Sequence, residues 1–332
     1  MRVMLLSNGP WPDGDHRMAW ALEELRREGE IEAYLVFSHA GEERQFRQEF
    51  HNILRSRIDS FKPDIILWDK DSGRDLSSEL VKSVAEAATL AYRDLDAWTS
   101  VLKPTGPNQQ VLCKYAHRVF LCALGTSGSQ FRTAGNRVRY TPSAYCNIDV
   151  PAPVLTRERR LVFAGSVRRR FQKLLGPFSP HVYPGRQDAV DSLRRRLGDR
   201  FIVFGEGYPK RWNIQACSFE RMVEVVNNAV ASFSIDAAPS GTYFFSNRTP
   251  IALACGSIHI RMEKPGDRQF FSECPGVILV NSAPEAVDTF EMVCAWPDAL
   301  LSDVAQETRL FASRRLRQPA VMRSLLKECC CP

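Results

Sequence analysis

The chain has 332 residues, roughly twice the size of one ordinary domain, so two domains are the natural starting expectation. Hydrophobic residues make up 44% and charged residues 25%, an ordinary globular composition with apolar material for two buried cores. The formal net charge of +6 suits an acidic ligand such as a nucleotide diphosphate without predicting a nucleic-acid partner.

The opening MRVMLLSNGP lacks the long apolar run and small-residue cleavage site of a secretory signal. No stretch approaches the ~20 apolar residues that span a bilayer, and a cytoplasmic chain is expected. Seven of the ten cysteines are scattered singly, several inside apolar runs such as VFLCALG and IALACG. They read as buried thiols of a reducing compartment. Cys329, Cys330 and Cys331 have no CxxC partner for a zinc site and read as an exposed tail without a catalytic role.

In chain order, Arg2 to Ser7 is an apolar run ending in the turn-rich SNGPWPDGD, followed by a helical pattern from His16 to about Arg27. Ala33 to Phe37 reads as a second strand. A polar helical stretch from Glu42 to Phe61 follows, broken by Lys62-Pro63. Strands at Asp64 to Trp68, Ala88 to Tyr92 and Arg118 to Leu121 complete the first half. The segment TPSAYCNIDVPAPVLTRER has three prolines and no periodicity, and reads as a linker over about 141–160. Beyond it the alternation restarts. Strands are expected at Leu161 to Ala164, Phe201 to Phe204, Val230 to Ile235, Ile258 to Arg261 and Val277 to Val280. Helices are expected at Gln187 to Leu197, Phe219 to Asn228 and Asn247 to Ala254, with more helix to the end. Strands spaced by helices argue for parallel sheets covered on both faces. The expected fold class is α/β, with two Rossmann-like doubly wound lobes, 1–150 and 151–332.

Ligands of such sheets bind beyond the carboxyl ends of the strands. There FAGSVRRRF places Gly165, Ser166, Arg168, Arg169 and Arg170 after a strand. Glycine lets a backbone approach phosphate, and arginine matches phosphate oxygens in bidentate fashion. The bland reading is a solvated arginine run. FGEG, 204–207, is a second strand-to-glycine turn. In GTYFFSNRTPIALACGSIHI, 241–260, Ser246 or Asn247 can cap a helix whose N-terminus favours an anion. Arg248 in that first turn opposes the dipole unless an anion sits nearby; otherwise it is a surface arginine.

YFFSNRTPIALACG resembles the pattern of the CgeB-like (spore maturation) branch of GT-B glycosyltransferases, where a Ser-Asn/Asp-Arg run opens a helix ending in a small residue and glycine. FAGS resembles the F-x-G-S that begins that family's donor lobe. MRVMLLSNG resembles its first strand, and FRTAGNRVRYTPSA, 131–144, the close of its first lobe. The resemblance implies two lobes facing a central cleft and sugar transfer from a nucleotide-diphosphate sugar, UDP- or GDP-linked. This donor is a co-substrate, with no tightly bound cofactor and no metal. Gly165, Ser166 and Arg168 would line the diphosphate with Arg170, Tyr243, Ser246, Asn247 and Arg248, and Gly205 would lie near the base. One departure stands out: Ile251 occupies the place of a glutamate that holds the donor ribose in family members.

A base for an inverting reaction would come from the first lobe, where Asp13, Asp15 and His16 follow the first strand and Asp69 and Asp94 end later ones. His16, whose intrinsic pKa is nearest neutrality, leads Asp15 and Asp94, although a histidine beginning a helix is more often structural. Asp69-Lys70-Asp71 and Asp94-Leu95-Asp96 resemble the metal-binding triplet of the GT-A fold, but triplets of this kind arise by chance and read as acceptor-side or structural. The alternatives are an inactive GT-B-like binding protein, favoured by Ile251, and a sugar-nucleotide epimerase. The acceptor is open: glycan, small molecule, protein or modified DNA.

Overall fold

The computed structural model describes residues 1–7, 16–38, 49–70, 76–95, 106–125, 131, 134–135, 137–154, 156–167, 185–212, 214–236 and 241–331. The chain divides into two compact units. Unit 1 is Met1–Thr99, Pro104–Pro142 and Gln318–Pro332, and unit 2 is Ser143–Arg317 with Ser100–Lys103.

Unit 1 holds strands β1 (Arg2–Ser7), β2 (Ala33–Ser38), β3 (Ile65–Asp69), β4 (Thr89–Asp94), β5 (Arg118–Leu121) and β6 (Val138–Tyr140). They form one parallel sheet in the order β2-β1-β3-β4-β5-β6. Its helices are α1 (His16–Arg27), α2 (Phe50–Phe61), α3 (Ser78–Ala87), α4 (Pro107–Tyr115) and, from the far end of the sequence, α11 (Gln318–Cys330). Side chains alternate faces along a strand and both faces are packed, so the central strands are largely apolar. Val3, Leu5, Ile65 and Leu67 pack with Met18 and Leu22 of α1 and Met322 and Leu325 of α11. Met4, Leu6, Ile66 and Trp68 pack on the other face with Leu54 of α2, Leu80 of α3 and Leu112 of α4. The expected break after Phe61 is realised by Lys62, which adopts φ 51° and donates its backbone N–H to Ile58 O at 2.7 Å.

Unit 2 holds β7 (Glu158–Ala164), β8 (Phe201–Phe204), β9 (Ala229–Ser234), β10 (Ile258–Met262) and β11 (Val277–Val280). They are parallel in the order β11-β10-β9-β7-β8. Helices α5 (Arg186–Leu197) and α9 (Ala283–Cys294) cover one face through Val190, Leu193, Val287 and Phe290. Helices α6 (Phe219–Asn228), α7 (Arg248–Cys255) and α10 (Asp298–Arg315) cover the other through Val223, Leu253 and Phe311. A short α8 (Asp267–Phe270) lies between β10 and β11.

Three expectations change. The boundary falls at 142/143, and most of the proline-rich segment is bound to unit 2: Tyr145 N donates to Leu316 O (3.0 Å) and Asn227 Nδ2 to Ala152 O (3.0 Å). Residues 318–332 belong to unit 1 instead of closing the second lobe, because α11 has an apolar face that α1 covers. Cys329 is therefore buried in that core, while Cys330 and Cys331 are exposed. All ten cysteines are free thiols, and among the described residues no helix is long and apolar enough to cross a membrane.

Candidate functional site

In unit 2, β7 and β9 are neighbours whose onward connections leave in opposite directions, to β8 and to β10. Their carboxyl ends form the topological switch point, the usual ligand position in open α/β sheets. Arg186, in the first turn of α5 and 3% exposed, joins the two departing loops. Its Nη1 donates to Ser166 O at 2.7 Å and its Nη2 to Ile235 O. The sequence reading began this helix one residue later and missed the arginine.

The turns after β7 and β8 interlock. Gly165 N donates to Phe204 O and Val167 N to Glu206 O, both at 2.8 Å. Tyr208 Oη donates to Gly165 O at 2.7 Å, and Glu206 N to Ser166 Oγ at 3.1 Å. A Cβ on Gly205 would fall 2.3 Å from Gly165 O, and one on Gly207 1.7 Å from Val167 O. Gly205 is thus glycine because the neighbouring turn presses on it. Its bare face meets Gly165 and not open space. Ser166 remains exposed. Arg168 and Arg170 lie outside the described residues.

The YFFSNRT segment enters the same edge. Tyr243 is half-buried at φ 64°, with its N–H on Pro265 O (2.9 Å) and its hydroxyl on Gln269 Oε1. Asn247 stands at the N-cap of α7 but makes no side-chain cap bond, contrary to expectation. Ser246 does not cap either: its hydroxyl is buried on the side of Asp236. The helix is instead anchored by Thr249, whose Oγ1 lies 3.1 Å from His259 Nε2. His259 also bonds Ser232 through Nδ1 (2.8 Å) and Ser234 through Nε2 (3.1 Å). Burial lowers its pKa to about 3, so the ring is neutral and ties β9, β10 and α7 together. Sequence reasoning missed it. Arg248 opens α7, exposed, with neither hydrogen bond nor carboxylate partner among the described residues. Burial raises the Tyr208 phenol pKa, and the charges of Arg186 and then Arg248 oppose that rise. Ile251 is 3% exposed and belongs to the core. A ribose-holding carboxylate has no counterpart at this position.

A buried ion network underlies this edge. Arg261 of β10, fully buried, grips Asp267 through Nε (2.8 Å) and Nη2 (3.2 Å), Phe244 O through Nη2 (2.7 Å) and Asp236 through Nη1. Lys264 Nζ donates to Asp236 O at 2.7 Å, and its N–H to Asp267 Oδ2 at 2.8 Å. Burial opposes ionisation of Asp236, but Arg261 and Lys264 overcome it and hold the carboxyl at about 2. Burial brings Lys264 down to about 8. Lys264 and Asp236 line a pocket of about 430 Å³ with Asp188, Ser192, Glu263 and Pro284.

In unit 1, Asp94 ends β4 with 1% exposure, and its Oδ2 accepts from Tyr92 Oη (3.0 Å) and Gln109 Nε2 (2.7 Å). Both bonds fall on one oxygen of a carboxylate expected among the candidate bases. Asp69 pairs with the buried Arg93 at 3.0 Å. His16 opens α1; Asp13, Asp15, Asp71 and Asp96 lie outside the described residues. Among the described residues no group of three or more His, Cys, Asp or Glu is placed to hold a metal ion.

Residues 186–321 match the family described as "Glycosyl transferase-like". No curated protein matches the chain by sequence. Anabaena HepE, solved with UDP and glucose, is similar at 12% identity, with 98% of each chain covered and a TM-score of 0.54. The DNA-modifying enzyme β-glucosyltransferase, solved with and without uridine diphosphoglucose, is similar at 12% identity, 99% of each chain and a TM-score of 0.58. A putative UDP-N-acetylglucosamine 2-epimerase from Listeria monocytogenes shares 14% identity over 98% of this chain and 94% of its own, with a TM-score of 0.54. The structural likenesses establish the fold, and the matched segment covers most of unit 2. The chain has the GT-B fold, and its residues 186–321 are similar to the glycosyl transferase-like family.

Proposed function

We propose that the protein, a member of the CgeB-like branch, transfers a sugar from a UDP- or GDP-sugar to an acceptor without a metal ion. The donor diphosphate is held at the strand-end edge of unit 2 by Arg248 and Ser166, with Arg168 and Arg170 as further contacts. The observation that carries this reading is Arg248: an exposed guanidinium in the first turn of a helix, unpaired among the described residues. The helix N-terminus repels that charge, and a diphosphate removes the misfit with two charge-assisted hydrogen bonds to one guanidinium. Negative charge grows on the leaving phosphate, so the contact favours the transition state over the ground state. His16 or Asp15 is the base if the reaction inverts.

The test is donor turnover across a panel of nucleotide sugars for wild type, Arg248→Ala and Arg248→Lys, with melting temperature as folding control. Losing one such donor costs ~2.7–4 kcal/mol, a hundredfold to a thousandfold in rate, and lysine restores part of it. An alanine variant that melts normally and turns over near the wild-type rate removes the site from this edge. EDTA leaves turnover unchanged on this reading; loss restored by Mn²⁺ revives the Asp69-Asp71 or Asp94-Asp96 pair. The Listeria likeness favours a second reading, epimerisation of the sugar nucleotide. Proton NMR of UDP-N-acetylglucosamine incubated with the protein separates the two, since only the epimerase yields an isomer without an acceptor. The buried Ile251 favours an inactive nucleotide binder, and calorimetric binding with no turnover across the panel would establish it.

A further inference from the structure

The carboxyl end of α7 gathers a second pair of cations. Arg157 donates Nη1 to Gly256 O and Nη2 to Cys255 O, meeting carbonyls that the helix leaves open and its negative pole. Arg309 of α10 lies on the same glycine: a Cβ on Gly256 would meet its Nη1 at 2.5 Å. Among the described residues no carboxylate acts on either guanidinium, and Arg309 has no hydrogen-bond partner. Burial lowers the pKa of both, and Arg309 lowers Arg157 further, to about 10. Arg309 opens into a pocket of about 440 Å³ with no acidic residue among its described lining. Tyr145, Val150, Pro151, Pro153 and Leu310 supply apolar walls, and Ser313 a hydroxyl.

We propose that this pocket binds a small monocarboxylate with an apolar body. Two adjacent guanidiniums share only the partial negative charge of one helix end, so a further anion relieves their repulsion. Arg157 spends its fork on the α7 carbonyls, which leaves one free fork, that of Arg309. One guanidinium matches one carboxylate in bidentate fashion, whereas a phosphate dianion retains charge here. The proline and valine walls take the body, a volume in the range of small-ligand sites.

The test is titration of the full chain, by calorimetry and ligand-observed NMR, with hexanoate, hexanol and inorganic phosphate. Hexanoate is expected to bind saturably at one site, with hexanol and phosphate weaker by about tenfold or more. Arg309→Gln is expected to weaken hexanoate by about tenfold or more, and Arg309→Lys by less. Leu310→Asp, which repels the carboxylate and removes an apolar wall, gives a second loss. Thermal melts verify that each variant is folded. No saturable hexanoate binding, equal binding by Arg309→Gln and Leu310→Asp in folded form, or phosphate binding as tightly as hexanoate overturns the proposal. None of these readouts uses a sugar nucleotide, so the donor assignment stands or falls separately.

Discussion

At the strand ends of unit 1, Arg93 meets Asp69 at 3.0 Å, and Asp94 takes hydrogen bonds from Tyr92 and Gln109. At the strand ends of unit 2, Arg261 and Lys264 are balanced by Asp236 and Asp267, but Arg186 is held by carbonyl oxygens and Arg248 by nothing described. Both units have doubly wound parallel sheets, and the difference is in how their charges close. Unit 1 consumes these ionic groups in its own structure. Among the described residues, unit 2 keeps Arg248 without a carboxylate partner, an arrangement an anionic ligand meets with little rearrangement.

The largest effect expected is from Arg261→Met, which leaves the buried Asp236 and Asp267 without the guanidinium that pairs with both, Lys264 alone remaining. Removing one partner of a buried ionic group costs about 3–5 kcal/mol, read as a lowered denaturation midpoint. A loss below about 1 kcal/mol would mean that the network is not what holds the unit 2 edge.

Acid is the next probe. His259 has an ordinary pKa of 6.5 and a folded one of about 3, so between those values the unfolded chain binds a proton that the folded chain refuses. The His259 contribution is then constant above about pH 6.5, and stability falls as pH drops from there toward 3. His259→Asn should flatten that slope. Below about pH 4 a further fall remains, because Asp236 loses its stabilisation as pH drops from its ordinary value toward about 2. A wild-type stability that stays constant from pH 6.5 to 4 contradicts the neutral, buried imidazole.

The smallest effect sharpens the comparison from the unit 1 side. Asp94→Asn keeps an acceptor for Tyr92 and loses charge toward Gln109, costing about 1 kcal/mol of stability with turnover unchanged. Turnover down a hundredfold with an unaltered melt would restore Asp94 as a base.

Most strands were legible because they are largely buried and read as apolar runs, as in IILWD at 65–69; the half-buried VRY at 138–140 carries no such run and was not expected as a strand. The strand-end turns were legible from their glycines. Arg261 was not: within IHIRM it looks like one charge on an edge strand, and its partners lie 25 and 6 residues away. Gly205 announced a close approach without naming the group: the backbone of Gly165 presses on it. The helix at 318–330 could be expected from its periodicity, yet periodicity does not name the surface that covers an apolar face.

That helix has a consequence for how the chain is made. Unit 1 is interrupted by unit 2, and α11 seals the core face that Val3, Leu5 and α1 leave open. Ribosomal synthesis delivers every residue of unit 2 before α11 appears. Unit 2 can therefore complete its core first, while nascent unit 1 still carries the uncovered side of Met18 and Leu22. A chain released before residue 318 would present that surface to chaperones and proteases even though its first six strands are intact.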